Sequence, residues 1–395
     1  MFKIYPINGS IEQIDGFYCN GLSAGLKPNG ALDMGFIYSD TLCDIEAVFT
    51  SNKFQAAPLR HYQQKDENFQ TNFVLINAKN ANAMTGQAGI ADVDEILNSL
   101  EDKFDLTNPV MSSTGVIGVR IPKEKILNKA LEFDLSDKNG DNLANAIMTT
   151  DAYPKQILLE VELEDKSTFK IGAVAKGAGM INPNMATMLC FITTDANIPK
   201  EDMKEALSSH VKTTFNAISV DGDTSTNDTV MLLSNKKSDT YNKEAFSEAL
   251  KMIMAKLADD IVSDGEGAKK SVAFEVKGAT NDSEAEKCAK ALSESLLVKT
   301  ALFGEDPNWG RIASTIGASG VQCSEDTLTI TFKDVLVYNK GEIYFDDTME
   351  AKAAKILQED KFKIICDLGL GDGSFTAFGC DLGYEYVKIN ADYRT

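Results

Sequence analysis

Residues 176–196 read KGAGMINPNMATMLCFITTDA. Gly177 and Gly179 loosen the backbone, Pro183 sets a turn, and Met188-Leu189-Cys190-Phe191-Ile192 follows as an apolar run of strand length. Between turn and run stand one small residue, Ala186, and one hydroxyl, Thr187. A fully apolar run bounded by turn residues is the mark of a strand buried on both faces. It is one of many short strand signals.

Working outward, the runs MGFIYS, IEAVFTS, NFVLINA, QILLEVEL, TFKIGAVA, TVMLLS, SVAFEVKG, TLTITF, VLVY, FKIICDLG and YEYVKIN read as strands. Helical periodicity covers 91–103, 122–132, 200–216, 243–263, 281–297 and 349–358. Pro199 and the acids that follow open the third of these, and Gly265 closes the fourth. Paired strands around EDKS (164–167) and NKG (339–341) predict antiparallel hairpins. Strands and helices alternate without strict βαβ units, which predicts an α/β class with mixed sheets covered by helices. No repeat, low-complexity linker or composition shift marks a boundary.

A chain of 395 residues can bury a large core. Its formal charge of −20 argues against nucleic acid and anionic membranes as partners. No apolar stretch is long enough for a membrane span or a signal peptide. The seven cysteines are dispersed and include no C-x-x-C pair, which predicts reduced cytoplasmic thiols and no zinc site. Only His61 and His210 are present, neither within a motif, so a Ser-His-Asp or Cys-His device is a poor expectation.

Five stretches have the composition of sites. MSSTGVIGVR (111–120) offers Thr114 and Gly115, a hydroxyl and a peptide N–H suited to an oxyanion; the plainer reading is a tight turn. KGAGMINPNMAT is the second. SVDGDTSTNDT (219–229) resembles a cation loop without the closing acid of an EF-hand, and its plainer reading is a capped turn. SDGEGAKK (263–270) sets Glu266 between two glycines, where a helix C-cap also fits. The terminal INADYRT would reach a pocket if a YVKIN strand orders the end of the chain. The glycines of DLGLGDGSF match no dinucleotide fingerprint, and ANAMTGQAG lacks the end of a P-loop.

A threonine hydroxyl needs a base. If the Ala186–Thr187 bond is cut, Thr187 gains an α-amine, which titrates at about 7.7–8.0 and can serve. The same hydroxyl could make the cut by attacking the Ala186 carbonyl. Against this stands the fact that threonine is a common strand residue.

The stretch 176–196 closely resembles the signature of the ornithine acetyltransferase (glutamate N-acetyltransferase) family of arginine biosynthesis. GFYCNGLSAGLK, AVFTSNKFQAAPL, SSTGVIG, AIMTTDAYPK, VDGDTSTNDT, FGEDPNWGRI and INADYRT extend the resemblance over nearly the whole chain. The resemblance implies self-cleavage into an α chain, 1–186, and a β chain, 187–395, that share one active site in a four-layer α/β/β/α fold and assemble as an α2β2 heterotetramer. It implies Thr187 as nucleophile, Thr114 and Gly115 as oxyanion hole, and Thr150, Lys176, Thr187, Glu266, Asn390 and Thr395 as substrate-binding positions. Lys176 suits a substrate carboxylate, and Glu266 the cationic amine of ornithine. The implied reaction carries acetyl from N2-acetylornithine to glutamate by a ping-pong route, with no cofactor or metal. Acetyl-CoA as a second donor stays open, since no CoA motif is readable. A self-cleaving aminopeptidase or amidase is the alternative. Lys79, Met84 and Ala178 depart from the family pattern at positions without an implied role.

Overall fold

The structure is a computed structural model and describes residues 1–182 and 188–392. Two mixed sheets form among the described residues. The first holds nine strands: β1 (Phe2–Pro6), β2 (Phe17–Leu22), β3 (Met34–Phe49), β4 (Gln70–Asn77), β5 (Val110–Ser113), β6 (Lys155–Leu163), β7 (Thr168–Lys176), β8 (Leu189–Thr194) and β10 (Thr229–Ser234). The second holds seven: β9 (Ile218–Ser219), β11 (Ser271–Ala279), β12 (Thr329–Phe332), β13 (Val335–Asn339), β14 (Glu342–Ile343), β15 (Lys361–Asp367) and β16 (Gly373–Cys380). The helices are α1 (Ala57–Tyr62), α2 (Gly86–Phe104), α3 (Lys123–Ala130), α4 (Gly140–Ile147), α5 (Lys200–Thr213), α6 (Lys243–Ser263), α7 (Asp282–Glu294), α8 (Leu296–Phe303), α9 (Trp309–Ala318), α10 (Asp347–Leu357) and α11 (Tyr384–Asp392). This is the mixed α/β class expected from the sequence.

The apolar run of residues 188–192 forms β8, buried along its whole length. It lies antiparallel to β7 and parallel to β10. Side chains alternate across it. Cys190 and Ile192 pack with Leu207, Val211 and Ile253 of α5 and α6. Leu189 and Phe191 pack on the opposite face with Leu143 and Ile147 of α4. Both faces are covered, so both must be apolar. The second sheet packs Val272, Phe274 and Val276 of β11 against Ala285, Cys288 and Leu292 of α7. Helix α6 touches both sheets, since Ile261 and Val262 share a cluster with Ile218 of β9 and Cys380 of β16.

The predicted hairpins form. Leu163 N–H donates to Ser167 O at the first turn, where Lys166 is left-handed. Lys340 and Gly341 both take positive φ at the second, the pattern of a type I′ turn. Three expectations are corrected. MGFIYS and IEAVFTS are halves of one strand, β3, whose pairing with β4 is interrupted between Tyr38 and Cys43. The helix over 281–297 is divided at Ser295, whose hydroxyl accepts from Val298 N and caps a second helix. YVKIN is not a strand but part of α11, where Tyr386 and Asn390 fall one turn apart on one face, Asn390 Nδ2 donating to Tyr386 O. Among the described residues, no helix is long and apolar enough to cross a membrane.

Candidate active site

Register decides where the site lies. Lys176 pairs with Leu189, and Leu189 with Thr229, so the ends of β7, β8 and β10 stand side by side. The chain enters β8 at Met188, whose N–H donates to Asp228 Oδ1 (3.1 Å) and whose carbonyl accepts from Thr229 N (3.1 Å). Beside this entry is a cavity of about 160 Å3. Thr114, Gly115, Thr150, Lys176, Glu266 and Asn390 all line it. Every predicted site residue within the described part of the chain is thus brought to one place. Ala186, Thr187 and Thr395 lie outside the described residues.

Thr114 and Gly115 follow β5. The Thr114 N–H donates to Asn77 O (3.0 Å), so its hydroxyl is what Thr114 can offer a ligand. Gly115 has φ +130°, and a Cβ there would lie 2.2 Å from the Lys79 carbonyl carbon, so only glycine fits. Asn227 fastens this turn, donating from Nδ2 to Ser113 O (2.8 Å) and to Ala81 O (2.7 Å).

Lys176 is 1% exposed. Its Nζ is 3.9 Å from Asp151 Oδ2, while Lys155 Nζ lies 2.9 Å from Asp151 Oδ1 and 2.5 Å from Asp264 Oδ2. Asp151 also accepts from Gly177 N (2.6 Å) and Thr149 N (3.0 Å), and Asp264 from Ala152 N. One buried network therefore holds the segment bearing Thr150, the end of β7 and the turn before Glu266. Burial alone would raise the Asp151 carboxyl, but Lys176, Lys155 and the two N–H donors bring it down to about 2. Burial pulls the Lys176 ammonium down, and Asp151 opposes the fall.

Glu266 N–H donates to Ala178 O (2.9 Å), and Asn390 Nδ2 donates to Glu266 Oε2 (2.6 Å). A Cβ on Gly179 would fall 2.3 Å from the Glu266 carboxyl, which explains one glycine of the approach. The loop 219–229 closes the other side. Asp221 accepts from Met180 N (2.6 Å) and Ile181 N (2.9 Å), and Tyr386 donates its hydroxyl to Asp221 (3.2 Å). Asp221 thus fixes the chain at Met180 and Ile181. Among the described residues no group of three or more acids, cysteines or histidines could hold a metal. His61 lies 3.5 Å from Asp94 and His210 2.8 Å from Ser247, both away from the cavity. Asp151, Lys155, Asp221 and Tyr386 were not singled out by the sequence. Short polar and charged residues carry no period, and the available signal was place alone: Asp151 and Lys155 follow Thr150, Asp221 lies within the loop 219–229, and Tyr386 precedes Asn390 by four residues.

A family model described as the ArgJ family matches residues 18–395. The chain belongs to the ArgJ family. The arginine biosynthesis bifunctional protein ArgJ of Wolinella succinogenes is 61% identical over 396 residues, covering 100% of both chains. The glutamate N-acetyltransferase of Methanopyrus kandleri is 40% identical over 394 residues, covering 95% of this chain and 98% of its own. The crystal structure of an ArgJ from Bacillus halodurans is 42% identical, with a TM-score of 0.48, over 51% of this chain and 98% of that one. This ArgJ-family chain is accordingly an enzyme, an acyltransferase of arginine biosynthesis.

Proposed function

We propose that the enzyme transfers acetyl from N2-acetylornithine to glutamate through an acetyl ester on Thr187. The observation that carries this reading is the convergence of Thr114, Gly115, Thr150, Lys176, Glu266 and Asn390 on one cavity, beside the point where the chain enters β8. The cavity's polar groups suit an amino acid: Lys176 for a carboxylate, Glu266 for an ammonium, and Thr114 Oγ1 with the Gly115 N–H for an oxyanion.

The cycle begins with self-cleavage. The Thr187 hydroxyl adds to the Ala186 carbonyl, the Ala186 C–N bond breaks, and the proton of the hydroxyl ends on the released amine. Water then hydrolyses the ester, leaving chains 1–186 and 187–395 and a free Thr187 hydroxyl. The α-amine of Thr187 takes the hydroxyl proton in each later attack. Acetylornithine gives its acetyl to Thr187, the amine proton passing to the departing ornithine. Glutamate attacks the ester by the reverse route and leaves as N-acetylglutamate. No metal or prosthetic group enters these steps. The two chains pair as α2β2 in the cytoplasm, a setting in keeping with seven free thiols. Relatives are named bifunctional; the second activity proposed here is the same transfer with acetyl-CoA as donor.

Intact mass under denaturing conditions tests the reading. Wild type should give two fragments, the second beginning at Thr187, and Thr187→Ala a single chain. An uncut wild-type chain that still transfers acetyl would overturn it. Acetate released from acetylornithine at a rate indifferent to glutamate would favour an amidase instead.

A further inference from the structure

Asp228 is a buried acid that the steps above do not use. It stands directly before β10, fully buried, and its Oδ1 accepts from Met188 N–H at 3.1 Å. Its other oxygen, Oδ2, is buried and meets no hydrogen-bond partner among the described residues. An unpartnered carboxyl oxygen in the interior is costly and calls for an explanation. Thr50, beside it, gives its hydroxyl to Ser225 O (2.7 Å). Covalent geometry puts the carbonyl carbon of residue 187 about 1.3 Å from the nitrogen that Asp228 holds. The carboxyl therefore holds the peptide unit that follows Thr187.

We propose that Asp228 is a positioning residue for self-cleavage and acetyl transfer: Oδ1 fixes the chain at Met188, immediately after Thr187, and the carboxyl, carrying a proton, keeps that hold neutral. The inference rests on the reading of Thr187 as nucleophile. Burial supports the protonated form, since it holds the Asp228 carboxyl well above the usual range although the Met188 N–H, Thr50 and Lys176 oppose it. Lys176, from β7, is the charged side chain that faces it among the described residues. A neutral group here also has a chemical reason. A negative charge held one residue along the chain from the released amine would favour its ammonium form, and an ammonium cannot take the hydroxyl proton.

The test compares Asp228→Ala, Asp228→Asn and Thr187→Ala in the full chain. An amide mimics a protonated carboxyl, accepting through oxygen and donating through nitrogen. Asp228→Ala should slow self-cleavage, followed by intact mass, and lower kcat by about 10²–10³-fold with KM little changed. Asp228→Asn should recover most of that loss, and the acid limb of its kcat/KM profile should coincide with that of wild type. The proposal is overturned if folded Asp228→Ala cleaves at the wild-type rate, or if Asp228→Asn is as slow as Asp228→Ala. It is also overturned if the acid limb of Asp228→Asn moves down by more than about half a pH unit, the sign of a lost negative charge. Should Asp228→Ala fail to fold, the isosteric Asp228→Asn decides alone by its rate and its profile. Cleavage of the Thr187→Ala chain would instead overturn the nucleophile, and this inference with it.

Discussion

At the scale of single residues the site is built by exclusion as much as by contact. Gly115 and Gly179 are glycines because a methyl group at either would meet, within 2.3 Å, the Lys79 backbone in one case and the Glu266 carboxyl in the other. Gly179→Ala should therefore displace Glu266 without touching the core. We expect KM for acetylornithine to rise by about tenfold or more, the worth of one charge-assisted contact, with kcat less affected. Steady-state kinetics on the cleaved enzyme checks this, and an unchanged KM would remove Glu266 from substrate binding. Thr114 makes the opposite prediction. Its N–H is taken by Asn77 O, so Thr114→Val deletes only the hydroxyl the turn can offer. Removing one oxyanion donor costs about 10²–10³ in kcat. A Thr114→Val enzyme that keeps its kcat would show that Gly115 N–H serves alone.

At the scale of elements, α11 bears on the site most and on the core least. None of its residues is buried, yet Tyr386 reaches Asp221 and Asn390 reaches Glu266. A chain ending at Gly383 should keep its melting temperature within a few degrees and lose most of its affinity for substrate. Asn390→Leu should reproduce a roughly tenfold part of that loss, because Glu266 then loses a charge-assisted donor. Calorimetric titration of ornithine against both forms is the measurement, and equal affinity for the full and shortened chains would refute it. This helix was also the least legible element. Tyr384, Tyr386, Val387 and Ile389 have the aromatic and β-branched look of a strand, but a nine-residue window fits both periods. Only the turn-apart contacts of Tyr386 and Asn390, tertiary in origin, select the helix. The buried strands were legible because burial on both faces leaves continuous apolar runs. The GEDPNW stretch hid α9, whose start depends on the Asn308 side chain accepting from Arg311 N. Glycine-rich DGSF hid the start of β16. Of the site, the loops with hydroxyls and paired glycines could be read individually. Their meeting could not, because it is set by strand register and by Asp151, Lys155 and Asp221, which occur in no periodic pattern.

At the scale of the whole molecule, Lys155 connects parts of the chain that are far apart in sequence. Lying in β6, it joins Asp151 to Asp264, which follows α6, and so ties the first sheet to the turn that presents Glu266. Removing one member of a buried network strands the others, at a cost of about 3–5 kcal/mol. Lys155→Met should thus weaken global stability and substrate binding together. The pH dependence follows from Asp151. Its carboxyl lies at about 2 in the folded chain against 3.8 ordinarily, so the folded state binds its proton more weakly than the unfolded state. The resulting stabilisation, ~2 kcal/mol, is complete above pH 4 and is lost as the pH falls toward 2. Asp228 and Asp264 are raised by burial and act in the opposite sense, losing stability as the pH rises above 4. The Asp151 contribution must therefore be isolated by difference. Urea denaturation of wild type and Asp151→Asn from pH 6 to pH 2 does this. The two should differ most above pH 4, and the gap should narrow by ~2 kcal/mol on acidification. A gap independent of pH would mean that Asp151 holds the three arms of the site by hydrogen bonds alone, with no net gain from the charges of Lys155 and Lys176.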